Sequence, residues 1–142
     1  MARYSCSTCG RIHKYGETCK KRIRELSKYR RTKEDEKVYR SYQWTKARQE
    51  VIEYQHGLCF ICKEKFLKDN SHRISLGKDV HHIRSVKNCL KDNEQELLYS
   101  IDNLILLCSH CHDEIHSKNL DSKDKINKYY DVDVDKRFNF EI

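Results

Sequence analysis

The sequence predicts a small α+β domain assembled on metal and preceded by a basic, helix-forming N-terminal extension. Three observations lead there. Two C-x-x-C pairs, Cys59/Cys62 and Cys108/Cys111, lie at the two ends of one stretch. Between them are two short strand-like runs, Asp79–Ile83 and Leu104–Leu107, and the second leads into helix-compatible text with histidines at i, i+4 spacing. The apolar supply is also thin, at 37% hydrophobic against 36% charged over 142 residues. A domain so short of core usually needs a metal or disulfides to hold together.

The clustering of the eight cysteines favours zinc over disulfides. The N-terminus, MARYSCSTCG, has no apolar segment of a secretory signal. No run approaches the roughly 18 apolar residues of a membrane span. The expected setting is a reducing cytoplasm, where thiols stay available to metal. The net charge of +7 is uneven: residues 1–48 carry 15 Lys and Arg against 5 Asp and Glu, and residues 49–142 carry 14 against 17. A basic arm on a near-neutral body points to a polyanion, most simply nucleic acid, whereas the plainer reading is a solvated helix face.

In chain order, residues 1–38 read as a basic arm with a zinc knuckle. Cys6, Cys9, His13 and Cys19 follow C-x2-C-x3-H-x5-C, with Gly10 supplying the tight turn. The alternative is free thiols in an extended arm. The run KKRIRELSKYRRTK is helix-friendly and suited to phosphates. From Tyr39 the sequence predicts one amphipathic helix with Trp44, Ala47, Val51, Ile52 and Tyr54 on its apolar side, stopping near Gly57. Trp44 reads as a core anchor rather than a base-stacking residue. Residues 63–79 and 84–101 read as polar connections, and Cys89 as an unpaired thiol. Residues 119–142 read as a tail or edge element that adds a strand or wraps the core.

Cys59, Cys62, Cys108 and Cys111 make a four-thiolate set. Such a set closes a tetrahedral site and leaves no open position, which makes the zinc structural. His81 and His82 are adjacent on a strand and so face opposite sides. One can ligate a metal while the other stays free to accept a proton. His112 and His116 lie one turn apart on a helix face and can share a metal. An Asn at a strand entrance, Asn103, can hydrogen-bond the backbone of a facing loop. His56, His72 and His110 are left unassigned.

The ordered set C-x-x-C, His81-His82-Ile83, Asn103, then C-x-x-C-His112-x3-His116 resembles the HNH endonuclease family over about residues 39–118. That resemblance implies a ββα-metal (His-Me finger) core and hydrolysis of DNA phosphodiesters leaving a 5′-phosphate. It implies His82 as general base, His81, His112 and His116 as ligands of a catalytic metal, and Asn103 as the residue holding loop geometry. Many members carry Asp where this chain has His81. Three imidazoles favour Zn²⁺, Ni²⁺, Mn²⁺ or Co²⁺, where a carboxylate would favour Mg²⁺. In some members a single helical histidine ligates, which leaves His116 between metal and phosphate. The lead-in YRSYQWTKARQEVIEYQHGLCFIC resembles HNH proteins of phage genomes, often near packaging genes. This implies the host cytoplasm and a terminase or other packaging partner. The competing readings are a non-catalytic zinc-stabilised nucleic-acid-binding module and a zinc-built adaptor.

Overall fold

The computed structural model describes residues 2–21, 31–70 and 72–139. Ile23, Leu26 and most of the basic run expected to be helical lie outside the described residues. The chain divides into two compact units, Met1–Glu36 and Lys37–Ile142.

In the first unit, β1 (Arg3–Ser5) and β2 (Ile12–Lys14) form an antiparallel hairpin pairing Arg3 with Lys14 and Tyr4 with His13. The connecting turn is closed by Cys6 N–H to Arg11 O (2.9 Å) and Gly10 N–H to Cys6 O (2.8 Å). Gly10 sits at φ +72°, a conformation open to glycine without strain.

The second unit is built around a two-stranded antiparallel sheet of β3 (Asp79–His82) and β4 (Leu104–Leu107), with His81 opposite Ile105 and His82 opposite Leu104. All four β4 side chains are buried, because both faces are covered. Alternation sends Leu104 and Leu106 toward α2 (Tyr42–Tyr54), where they meet Trp44, Ala47 and Val51. Ile105 and Leu107 face the other way, toward Phe60, Ile61, Ile115, Ile126 and Val134. The same alternation assigns the two histidines of β3 to opposite layers. Gly77 leads into β3, and a Cβ there would fall inside the Leu106 side chain.

A two-stranded sheet leaves one edge of β4 unpaired, and unpaired buried backbone is costly. Two side chains fill it. Gln55 Oε1 accepts from Leu106 N–H (2.8 Å), and Gln55 Nε2 donates to Leu106 O (3.1 Å). Arg137 Nε donates to Leu104 O (2.7 Å).

Four expectations are corrected. The helix expected from Tyr39 is two: α1 (Lys33–Arg40) ends and α2 begins at Ser41, whose hydroxyl accepts from Trp44 N–H. A serine that can cap a helix start competes with continuing the turn. Tyr54, expected on the apolar side, is half exposed. The expected loop after Cys62 is helical, α3 (Phe60–Asp69), since KEKFLKD is rich in helix formers and stops at Asn70 in the left-handed region (φ 53°). Residues 84–101 hold α4 (Val86–Lys91), capped by Ser85, and a 3₁₀ turn at Gln95–Leu98.

The C-terminal stretch forms no strand among the described residues. It forms α6 (Lys123–Tyr130), after α5 (Ser109–Ser117), and a 3₁₀ turn at Val134–Lys136. Ile126, Tyr130 and Val134 pack into the same core as Cys59–Cys62. No helix among the described residues is long and apolar enough to cross a membrane.

Candidate metal centres and general base

The described residues bring together three groups of metal-type side chains: Cys6, Cys9, His13 and Cys19; Cys59, Cys62, Cys108 and Cys111; and His81, His112 and His116. Within each, one candidate ligand atom per residue lies within 4.8 Å of the others.

The four-cysteine group has near-zinc-binding geometry. Cys62 Sγ is 3.7 Å from Cys108 Sγ and 3.8 Å from Cys111 Sγ. A tetrahedron with Zn–S of about 2.3 Å has sulfur–sulfur edges of about 3.8 Å. Cys59 and Cys108 occupy the N-cap positions of α3 and α5, where helix dipoles favour a thiolate. The Cys111 thiol beside it and nearby backbone amides pull the Cys59 thiol down to about 5. Burial, together with the Cys59 charge, pushes Cys62 up to about 11. The Cys59 contact and burial raise Cys111 as well. Four thiolates cannot coexist in this pocket by themselves, so the donor set fits a soft dication.

The histidine group follows from β3 pairing with β4. Across from Ile105, His81 faces α5, and its ring centroid lies 5.2 Å from that of His112 and 4.9 Å from that of His116. His112 Nε2 and His116 Nε2 approach to 3.0 Å. Two imidazoles converging in this way suit a shared cation. Burial, reinforced by the neighbouring imidazoles, pulls His81 down to about 3, which keeps it a neutral lone-pair donor. Burial likewise lowers His116. Asp79 Oδ2 lies 3.8 Å from His112 Nδ1 and faces it from β3. That separation is beyond hydrogen-bond length and within reach of electrostatic attraction. Asp79 carries no motif signal in the sequence, although period-2 alternation puts it on the His81 face.

His82 belongs to the other layer. Its ring stacks on Trp44 (centroids 4.8 Å, 19°) with the Tyr39 edge at 5.8 Å. Its Nε2 is 2.9 Å from Leu98 O. A carbonyl only accepts, so Nε2 carries the proton and Nδ1 keeps its lone pair. Nδ1 is buried and has no hydrogen-bond partner. Burial lowers the His82 pKa, and the Leu98 carbonyl opposes this.

Asn103 brackets the loop between the strands. Its Oδ1 accepts from Arg84 N–H (2.8 Å), and Nδ2 donates to Arg84 O and Leu97 O (3.1 Å each). Cys89 is buried 4.0 Å from Asn103 Nδ2. Of the unassigned histidines, His110 is exposed and lies 3.9 Å from Glu114.

In the N-terminal hairpin, Cys9 Sγ is 3.1 Å from His13 Nε2. Backbone amides, Cys9 first, pull the Cys6 thiol down to about 6.

Residues 59–118 match the family model described as HNH endonuclease, a family whose members are generally nucleases acting on DNA. No curated protein and no solved structure matches the chain.

Proposed function

With a domain of the HNH endonuclease family at residues 59–118, we propose that this chain is a metal-dependent DNA endonuclease with His82 as general base. The observation that carries the reading is the His82 tautomer. Leu98 O holds the Nε2 proton and leaves Nδ1 as an unpartnered lone pair, one residue from the three-histidine cluster. A neutral imidazole with one nitrogen committed and the other bare supports a general-base role.

In this reading Nδ1 takes a proton from water as its oxygen attacks phosphorus. The bond from phosphorus to the 3′ oxygen breaks, and the 5′-phosphate remains on the other product. The Leu98 carbonyl stabilises the imidazolium that forms. Asn103 keeps the loop bearing Leu98 in place. His81, His112 and His116 would hold the catalytic metal, with the Asp79 carboxylate beside His112. When bound, a divalent ion there supplies positive charge to polarise the phosphate and to stabilise the leaving oxygen. The all-imidazole set points to Zn²⁺, Ni²⁺, Co²⁺ or Mn²⁺ ahead of Mg²⁺. Zinc at Cys59, Cys62, Cys108 and Cys111 is structural, and the sheet followed by α5 supports a ββα-metal arrangement. A second zinc at Cys6, Cys9, His13 and Cys19 orders the N-terminal hairpin, whose basic residues contact phosphates. The phage-like lead-in helix supports a place beside a DNA-packaging terminase in a host cytoplasm.

One observation favours a non-catalytic DNA-binding module instead: Trp44 and Tyr39 cover His82. Metal-stripped protein resupplied with single divalent ions and incubated with supercoiled plasmid separates the two. The nuclease reading expects nicked or linear product that depends on added metal. Plasmid binding with no cleavage in any metal would leave the binding module.

A further inference from the structure

We propose that Arg137 is a positioning residue for the general base, and this inference rests on the nuclease reading above. Arg137 lies well beyond residues 59–118, in a stretch where the sequence signals no chemistry. Its side chain is nonetheless 3% exposed. Nε donates to Leu104 O (2.7 Å), Nη2 to Ile101 O and Asp102 O (2.8 Å each), and Nη1 to Val134 O (2.7 Å). Phe138 lies over the guanidinium at 4.3 Å and tilts against Tyr54 on α2 at 5.7 Å.

The partners of this buried cation are four carbonyls. Burying a charge is a poor way to gain stability, and an apolar side chain of similar size often does better. What a rigid fork of donors provides is geometry. Three of the four carbonyls belong to Ile101, Asp102 and Leu104, so Arg137 holds the peptide group that enters Asn103 and the one that leaves Leu104. Asn103 is then aimed at Arg84 and Leu97. Leu97 immediately precedes Leu98, whose carbonyl holds Nε2 of His82. From Arg137 to the base, each step is a hydrogen bond of 2.8–3.1 Å or one residue along the backbone. Lysine would keep the charge, but its donors radiate from one point and cannot span three peptide groups.

The test uses the full, zinc-loaded chain and its Arg137→Lys and Arg137→Gln variants, with two readouts. Amide exchange is measured at Arg84, bonded to Asn103 Oδ1, and at Lys63, bonded to Cys59 O at 3.0 Å on the far side of the core. Plasmid cleavage is measured with kcat and KM separated. The proposal expects exchange at Arg84 to rise about tenfold or more in Arg137→Lys while Lys63 is unchanged. It expects kcat to fall about tenfold to a hundredfold with KM within about twofold, as for a displaced catalytic group. Unchanged Arg84 exchange overturns it. Equal acceleration at Arg84 and Lys63, or an Arg137→Lys chain that no longer folds, also overturns it, since either makes Arg137 a general structural support. A wild-type chain that cuts in no metal defeats the nuclease reading, and the exchange measurement still decides whether Arg137 fixes the loop.

Discussion

Replacing Asn103 by aspartate changes one NH₂ group to oxygen and leaves shape nearly unaltered, so its cost can be worked from three contacts. The oxygen that accepts from Arg84 N–H at 2.8 Å is retained. The group that donated to Arg84 O and Leu97 O, each at 3.1 Å, becomes an acceptor facing two acceptors in a site 6% exposed. The cheapest remedy is for the introduced carboxyl to stay protonated and donate to one carbonyl. The lost second bond costs about 1 kcal/mol.

Holding the proton on a group of ordinary pKa about 3.9 costs about 1.4 kcal/mol per pH unit, or about 4 kcal/mol at pH 7. The sign follows directly. The folded pKa is raised, so the unfolded chain releases a proton that the folded chain keeps. The deficit against wild type is small near pH 4 and grows as pH rises toward the folded pKa. Urea unfolding followed by Trp44, the single tryptophan, at constant zinc should show a gap of about 3 kcal/mol at pH 5.5 and about 5 at pH 7. Asn103→Ala removes the same bonds without a titrating group, and its gap should not vary with pH. A gap for Asn103→Asp below about 1 kcal/mol, or one flat across this range, would refute the bracket as described.

The sulfur spacings make a parallel prediction for Cys59→Ser. Structural zinc supplies about 10–16 kcal/mol of folding free energy at pH 7, so the variant should bind one zinc fewer and lose its cooperative melt. An unchanged melting temperature with unchanged zinc content would contradict the assignment. For DNA affinity, neutralising Arg3, Arg11 and Lys14 together as Gln should reduce the slope of log affinity against log salt by about 2–3, at roughly 0.9 per phosphate contact. A titration that superimposes on wild type would remove the hairpin from phosphate binding.

What could be read in the sequence was what repeats at a fixed short spacing. Cys59/Cys62, Cys108/Cys111 and His112/His116 are each set by one turn of chain, and adjacency on a strand separates His81 from His82 whatever surrounds them. The two strand runs were legible from composition, a continuous apolar run at Leu104–Leu107 and β-branched residues beside His81 and His82. The missed helix after Cys62 has little apolar periodicity to announce it, because its buried residues, Phe60–Lys63, crowd into the first turn. The break at Ser41 is a competition between a cap and a continuing helix, and the capped Trp44 is packed into the core. Gln55 and Arg137 had no local signal at all. Each fills the unpaired edge of β4 across 51 and 33 residues of chain, and the need for them appears only once the sheet is known to stop at two strands.

Whether His82 accepts the proton from attacking water is decided by turnover of His82→Ala on supercoiled plasmid in whichever metal supports wild-type cleavage, with DNA affinity and metal content measured on the same samples. With His82 as the base, cleavage should fall by about 10²–10⁴, the usual worth of a general base, while zinc content, binding of the catalytic metal and DNA affinity stay near wild type. Turnover within about tenfold of wild type, with the fold intact, would contradict it and move the proton transfer to another group.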